Sequence, residues 1–344
     1  MLTSEILAGA GIVLIAGVLQ GVFAVPMKFA RGWKYENIWL VFAVTGLVIF
    51  PWLLTLATVP NIADVYRLTS SKSLFAIAGF GACWGIGATL TGLGLTMLGI
   101  GLGFAIILGL SASVGSLVPL LILTPDKIGT TQGHDYLLGT GVMLVGIGVA
   151  ARAGALRERA ARTRADEQAR QATPFVTGLV VAIAAGVLSS TLNFSYAFGH
   201  EALIRAHALN VSPLWAANVI TAPATTGGFF ANLFYCAYLL RRNGTAGKFI
   251  HPGAGINWLF GAIMGALWFG GQALYGLGVS RMGQFGTVMG WPSLMGMIIV
   301  TSNAAGILTG EWKAAGKRAG AYLSAGMLII LAALGILALG QSGS

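Results

Sequence analysis

Five side chains with amides or phenols stand inside long apolar runs of this 344-residue chain, and two tryptophans stand near them. Gln272 lies four residues after Trp268, so the two share one face of a helix. Tyr275, three residues further on, lies on nearly the same face. Asn193 and Tyr196 form a similar i, i+3 pair, and Gln20 immediately precedes Gly21 in the first run. An amide without a partner in hydrocarbon is costly, so each of these groups must bond a neighbouring helix or face a cavity. The second alternative is recognition chemistry: a few placed hydrogen-bonding groups in apolar surroundings, with the flat faces of Trp84 and Trp268 beside them. The tryptophans have their own alternatives, packing or anchoring at a membrane interface. Asn218, Thr221, Thr225, Thr226 and Asn232 make a further run unusually polar without ranking one above another. Asn303 is similarly placed in a later run.

Covalent chemistry fits these residues less well. The ten acids are Glu5, Glu36, Asp64, Asp126, Asp135, Glu158, Asp166, Glu167, Glu201 and Glu311, and none falls squarely in the middle of a run. No run carries a clustered set of acids, histidines or cysteines, so the chain is not expected to be an enzyme. Cys83 and Cys236 have no CxxC partner, and neither a disulfide framework nor a metal site is expected. No cofactor is expected either.

The elements that position these groups follow from composition. Hydrophobic residues make up 56% of the chain and charged residues only 9%, against about 25% charged in a soluble domain. So little polar surface points to the bilayer as solvent. Gly contributes 51 residues without a G-x-y period, which points to close helix–helix approach in a membrane. The net charge of +10 lies in short loops between apolar runs. Topology explains that charge better than nucleic acid does, and no nucleic-acid partner is expected. No basic stretch precedes the first run, so a cleaved signal peptide is not expected.

A span needs about 20 apolar residues. Ten candidates fit, near 5–25, 37–57, 74–97, 102–124, 136–152, 174–199, 213–240, 256–279, 284–307 and 320–340. Fifteen of the twenty Lys and Arg fall in the loops after the odd-numbered spans. The positive-inside rule places those loops in the cytoplasm and both termini on the periplasmic or extracellular side. The one long charged segment, 153–173, reads as a basic cytoplasmic linker. It separates 1–152 from 174–344, five spans on each side.

The two halves repeat a phrase. GACWGIGATLTGLGLTMLG at 81–99 and GALWFGGQALYGLGVSRMG at 265–283 are identical at nine of nineteen positions, Trp84 and Trp268 among them. AGVL at 16–19 recurs at 185–188, and Leu123–Thr124 recurs as Leu308–Thr309. Five spans is an odd number, so a second copy enters the membrane from the opposite side. The fold expected is an all-α polytopic membrane protein of ten transmembrane helices, arranged as two inverted five-helix repeats. Such repeats are common in secondary transporters, with the substrate site near the midplane where they meet. There is no GxxxxGK[ST] for ATP, no HExxH, and no selectivity-filter phrase. Transport driven by a gradient remains.

Several local patterns narrow this further. PMKFARGWKYENIW at 26–39 joins Pro-x-Lys to W-x-x-E-x-x-W, and Pro51–Trp52 and Pro60–Asn61 follow. GACWGIG at 81–87 leads into GLGLTMLGIGLGFAIILGLSASVGSLVP, which ends at Pro119. His200–Glu201 closes the sixth run, with Leu209-Asn210-Val211-Ser212-Pro213 beyond, and GEWKAAGKR stands at 310–318. In this order and spacing the chain resembles the L-rhamnose–proton symporter family of the drug/metabolite transporter superfamily, over nearly its whole length. The resemblance implies ten helices in two inverted halves and uptake of a sugar across the bacterial inner membrane, coupled to protons. The chain departs from that pattern at Ala88, Thr89, Leu90 and Thr91, where Asn and Tyr are usual. It departs again at FGTVMGWPSLM (285–295), where a more polar, tyrosine-bearing stretch is usual.

Under that resemblance the substrate-binding candidates are Gln20, Trp84, Asn193, Tyr196, Trp268, Gln272 and Tyr275. Hydroxyls would meet the polar groups and the C–H face of the sugar would meet the rings. Glu201, with His200 beside it, is the coupling candidate that the resemblance supplies, and Lys28 is the third. Their alternatives are a solvated outer-loop pair and a positive-inside anchor. Twenty-seven helical residues from Pro174 rise about 40 Å, which places Glu201 at the outer mouth. The expected partners are a small sugar, protons and the lipid bilayer, with the oligomeric state left open. L-rhamnose or a similar deoxy sugar is the expected substrate. The alternatives are a transporter of another small metabolite in the same superfamily and a membrane sugar sensor without net transport.

Overall fold

The computed structural model describes residues 2–98, 100–161, 175–283 and 286–342. These form thirteen α-helices and no strand. Helix α1 (Leu2–Val22) ends in a short 3-10 turn. Helices α2 (Tyr35–Val44) and α3 (Phe50–Thr58) are joined without a break by a π turn, Thr45–Ile49. The first half continues with α4 (Ile62–Leu68), α5 (Ser71–Leu98), α6 (Ile100–Leu123) and α7 (Thr131–Ala161). The second holds α8 (Phe175–Phe198), α9 (His200–Ala208), α10 (Asn218–Asn243), α11 (Ala254–Arg281), α12 (Gly286–Leu308) and α13 (Gly316–Ser342).

Among the described residues, nine helical stretches are long and apolar enough to cross a membrane, so this is a multi-pass membrane protein. The expected seventh span, 213–240, is not one of the nine. It contains α10, which is 26 residues long and rises about 39 Å, but its apolar character is diluted by buried Asn218, Thr221, Thr225 and Asn232. The expected linker also differs from the structure. Residues 153–161 continue α7 as helix, because a stretch rich in Ala, Leu, Arg and Glu favours that conformation. Residues 162–173 lie outside the described residues. The expected sixth span, 174–199, matches α8, which Phe198 ends, and Glu201 rides on the separate helix α9 that follows.

Glycines decide how the helices meet. Helix α5 runs along α8 and α10, while α11 runs along α1 and the α2 π turn. A Cβ on Gly81 would stand 1.9 Å from the Ala224 carbonyl oxygen of α10. On Gly265, the repeat counterpart of Gly81, it would stand 2.8 Å from the backbone of Gly46 in the π turn. Gly87 faces Leu188 and Ser189 of α8, and its counterpart Gly271 faces Ala16 and Gln20 of α1. Gly94 meets Ala182, and its counterpart Gly278 meets Val13. At these three paired positions the glycines of the repeated phrase therefore touch residues of other helices in both halves. With no Cβ between them, the backbones approach closely, which is how apolar helices associate where burial from water supplies no force.

Candidate functional site

The close approach of α1, α8, α10 and α11 brings the polar candidates together in the interior. Gln20 is 6% exposed, Gln272 1% and Asn193 0%. Gln20 Nε2 donates to Gln272 Oε1 at 2.6 Å, and Gln272 Nε2 donates to the Tyr196 hydroxyl at 3.3 Å. That hydroxyl shares a 2.8 Å hydrogen bond with Thr221 Oγ1. Beside this chain the Tyr275 hydroxyl donates to Asn193 Oδ1 at 2.5 Å. Asn193 Nδ2 in turn donates to the carbonyls of Gly115 and Thr287 at 2.8 and 2.9 Å. The rings of Tyr196 and Tyr275 meet edge to face, with centroids 5.4 Å apart. Five of the seven expected binding residues thus form one buried cluster, two sets of interhelical hydrogen bonds joined by the Tyr196–Tyr275 ring contact.

The other two meet each other. Trp84 and Trp268 stack with centroids 5.2 Å apart and planes 26° from parallel. Phe42 stands edge-on to Trp268 at 6.2 Å. Trp84 also lies against Gly228, where a Cβ would stand 2.5 Å from the ring. The rings occupy equivalent places in the two repeated phrases, and the contacts of α5 and α11 with opposite halves bring them face to face.

A cavity of about 440 Å³ reaches the cluster, a size within the range of small-molecule sites. It is lined by Tyr196, His200, Gly276 and Thr287, with Leu123 and Thr124 at one end. His200 therefore faces the path to the cluster. Glu201, its neighbour, does not line the cavity. Its carboxylate accepts from the backbone N–H and hydroxyl of Ser70 at 3.1 and 2.5 Å, with Arg205 3.5 Å away. Ser70 precedes α5, so Glu201 ties α9 to the start of that helix.

Lys28 lies elsewhere, among the ends of α1, α7 and α12. Its ammonium is paired with Glu311 and donates to Thr309 Oγ1 at 2.7 Å. Arg157 reaches the same carboxylate at 2.9 Å and covers the Trp312 ring at 4.8 Å. The hydrogen bond from Lys28 holds the Glu311 carboxyl below its ordinary range. A carboxyl lowered by folding adds stability above its ordinary value and loses that contribution as pH falls through its folded value. The heat stability of the detergent-solubilised protein is therefore expected to exceed that of Glu311→Gln near neutral pH. The gap should close as pH falls below the ordinary carboxyl range of about 4.3. A gap that widens on acidification would exclude Glu311 as the titrating partner.

Sequence reading missed three members of this region. Thr221 completes the hydrogen-bonded chain, but nothing separated it from the other polar residues of α10. Trp291 stands 5.7 Å from Tyr275 and donates its indole N–H to the Ser111 carbonyl at 2.9 Å. It lies in 285–295, where the chain departs from the resemblance, and Gly115 leaves room for its ring. Phe42, which backs Trp268, carried no signal beyond its apolar character.

A family model described as L-rhamnose-proton symport protein matches residues 2–343. The L-rhamnose-proton symporter of Cronobacter sakazakii is 31% identical over 336 residues, covering 96% of each chain. A relative of the same description from Salmonella typhi is 29% identical over an equal span.

Proposed function

The chain belongs to the L-rhamnose-proton symport protein family, and from that premise we propose that it takes up L-rhamnose or a similar sugar together with protons, by alternating access. Two inverted five-helix repeats, 1–152 and 174–344, rock about the cluster of Gln20, Asn193, Tyr196, Gln272 and Tyr275, with Trp84 and Trp268 as apolar faces. Residues 153–173 link them in the cytoplasm. The protein resides in the bacterial inner membrane with both termini periplasmic, and α10 is its remaining transmembrane span. It is a transporter and not an enzyme.

The observation that carries this reading is the buried chain Gln20–Gln272–Tyr196–Thr221, which joins α1, α11, α8 and α10 across the two halves. Its donors and acceptors are what sugar hydroxyls exchange with, and Tyr196 lines the cavity of about 440 Å³. A sugar arriving there would replace these bonds with bonds to its own hydroxyls. His200, which lines that cavity, and its neighbour Glu201 are the groups assigned to proton entry. Lys28, with Glu311, is assigned to the opposite closure.

Purified protein in liposomes, given labelled L-rhamnose and an imposed proton gradient, is expected to accumulate the sugar, and a protonophore should abolish accumulation. Glu201→Gln should lose gradient-driven accumulation but keep sugar exchange at equal concentrations. An absence of accumulation in either orientation would overturn the reading. Accumulation of a competing sugar instead would change the substrate and keep the mechanism. Undiminished accumulation by Glu201→Gln would exclude its carboxylate as the coupling group.

A further inference from the structure

A second cavity, of about 320 Å³, lies on the far side of the buried cluster among α1, α6, α7 and α12. Its walls parallel those of the larger one. Tyr196 and Ala197 line the larger cavity. At the offset that relates the two AGVL phrases, their counterparts are Met27 and Lys28, and both line the smaller cavity. Thr124, at the end of α6, lines the larger cavity, and its counterpart is Thr309. Ala305 and Glu311, on either side of Thr309, line the smaller one. Gly21 lines the smaller cavity and its neighbour Gln20 begins the hydrogen-bonded chain that ends at Tyr196 in the larger. The chain Gln20–Gln272–Tyr196 is therefore a partition between two compartments.

We infer that the smaller cavity is a second sugar-binding subsite, which receives the substrate after it has crossed this partition. The inference rests on the transport reading above. Three features suit a neutral pyranose. The Trp312 indole N–H is buried and has no hydrogen-bond partner among the described residues, although Trp312 lines the cavity. A buried donor of this kind gains from a ligand hydroxyl. Asn303, also in the wall, donates Nδ2 to the Ile299 carbonyl at 2.8 Å, which fixes the amide and keeps its oxygen as an acceptor. The indole ring adds a flat apolar surface, and Gly306 makes room for it: a Cβ there would stand 3.2 Å from the indole nitrogen. The charges in the wall are matched among themselves, with Lys28 and Arg157 both on Glu311, so the uncharged groups Asn303 and Trp312 are those open to a ligand.

The test uses sidedness. L-rhamnose flux without a proton gradient is measured in right-side-out and inside-out membrane vesicles, and half-saturation is recorded from each face. Loss of one neutral hydrogen bond, about 1 kcal/mol, is about a fivefold change. Trp312→Phe keeps a flat aromatic ring and removes the donor together with the five-membered ring that carries it. It is expected to raise the ratio of inner to outer half-saturation about fivefold, and Asn303→Ala should move the ratio in the same direction. A merely structural role would lower maximal flux and leave the ratio unchanged. Ratios unchanged in both variants, or equal shifts on both faces, would overturn the inference while wild-type transport stands. Wild-type vesicles that move no L-rhamnose would overturn the transport reading, and this inference with it.

Discussion

Replacing Gln272 with leucine is expected to lower L-rhamnose uptake about a hundredfold. Gln272 accepts from Gln20 and donates to Tyr196. Leucine fills a similar volume but leaves the Gln20 amide, 6% exposed, without its acceptor. A buried group left unpaired costs about 1–3 kcal/mol, and a factor of one hundred corresponds to about 2.7 kcal/mol. Stability and substrate recognition both enter that loss, and a second variant separates them. In the double variant Gln20→Leu/Gln272→Leu both partners become apolar, which is close to neutral for the fold. Heat stability should return toward wild type while uptake stays low, because a sugar would find neither amide. Uptake that recovers together with stability would show that the pair only holds α1 to α11.

The second large effect concerns packing. Gly81→Ala places a methyl group 1.9 Å from a backbone carbonyl oxygen, and no rotamer relieves a Cβ clash with backbone. Helices α5 and α10 must separate, and little folded protein is expected in the membrane fraction. Gly92 belongs to the same phrase, yet nothing stands within 4 Å of its Cβ position. Gly92→Ala should fold and transport as wild type. Its repeat counterpart Gly276 is intermediate, with a Cβ 2.9 Å from Ala217 and 3.1 Å from the Tyr196 ring. Gly276→Ala should be present in the membrane at near-normal levels but transport severalfold less, because it displaces a ring of the cluster. Size-exclusion profiles of tagged protein with uptake per molecule read both quantities. Normal yield and transport for Gly81→Ala would refute the close contact with α10.

The sequence made the architecture legible where periodicity was not needed. Apolar length alone marks a membrane span, and nine of the ten expected runs match helices that meet that measure. The run at 213–240 shows the limit: α10 buries so many polar groups that its length, not its apolar character, marks it. The repeated phrase marked Trp84 and Trp268 as equivalent positions, and the structure stacks the two rings on each other. Gln20, Gln272 and Tyr196 were legible as groups that needed partners, because a polar side chain in hydrocarbon has few alternatives. Which partner each would find was not legible, as it depends on helix rotations that no spacing encodes. Thr221 illustrates this. It is one of five Asn and Thr residues between Asn218 and Asn232 on α10, and only its orientation toward Tyr196 singles it out. Asn303 and Trp312 were legible only as residue types until a cavity joined them.

The π turn at Thr45–Ile49 has a consequence for the span that contains it. A wide turn takes up one residue more than an ordinary turn. Trp39 and Trp52 are thirteen residues apart, which in an unbroken α-helix sets them about 140° apart. With one residue absorbed the second indole swings about 100° around the axis and stands about 120° from the first, on the other side. Both indoles then reach the same neighbour: Trp39 donates to Asn232 and Trp52 to Thr226, at 2.9 and 2.8 Å, both on α10. The span is a phase shifter, whose two flanks keep separate helical registers and present one wall to α10. Its centre, freed from the regular ladder, is the place where Gly46 can lie against Gly265.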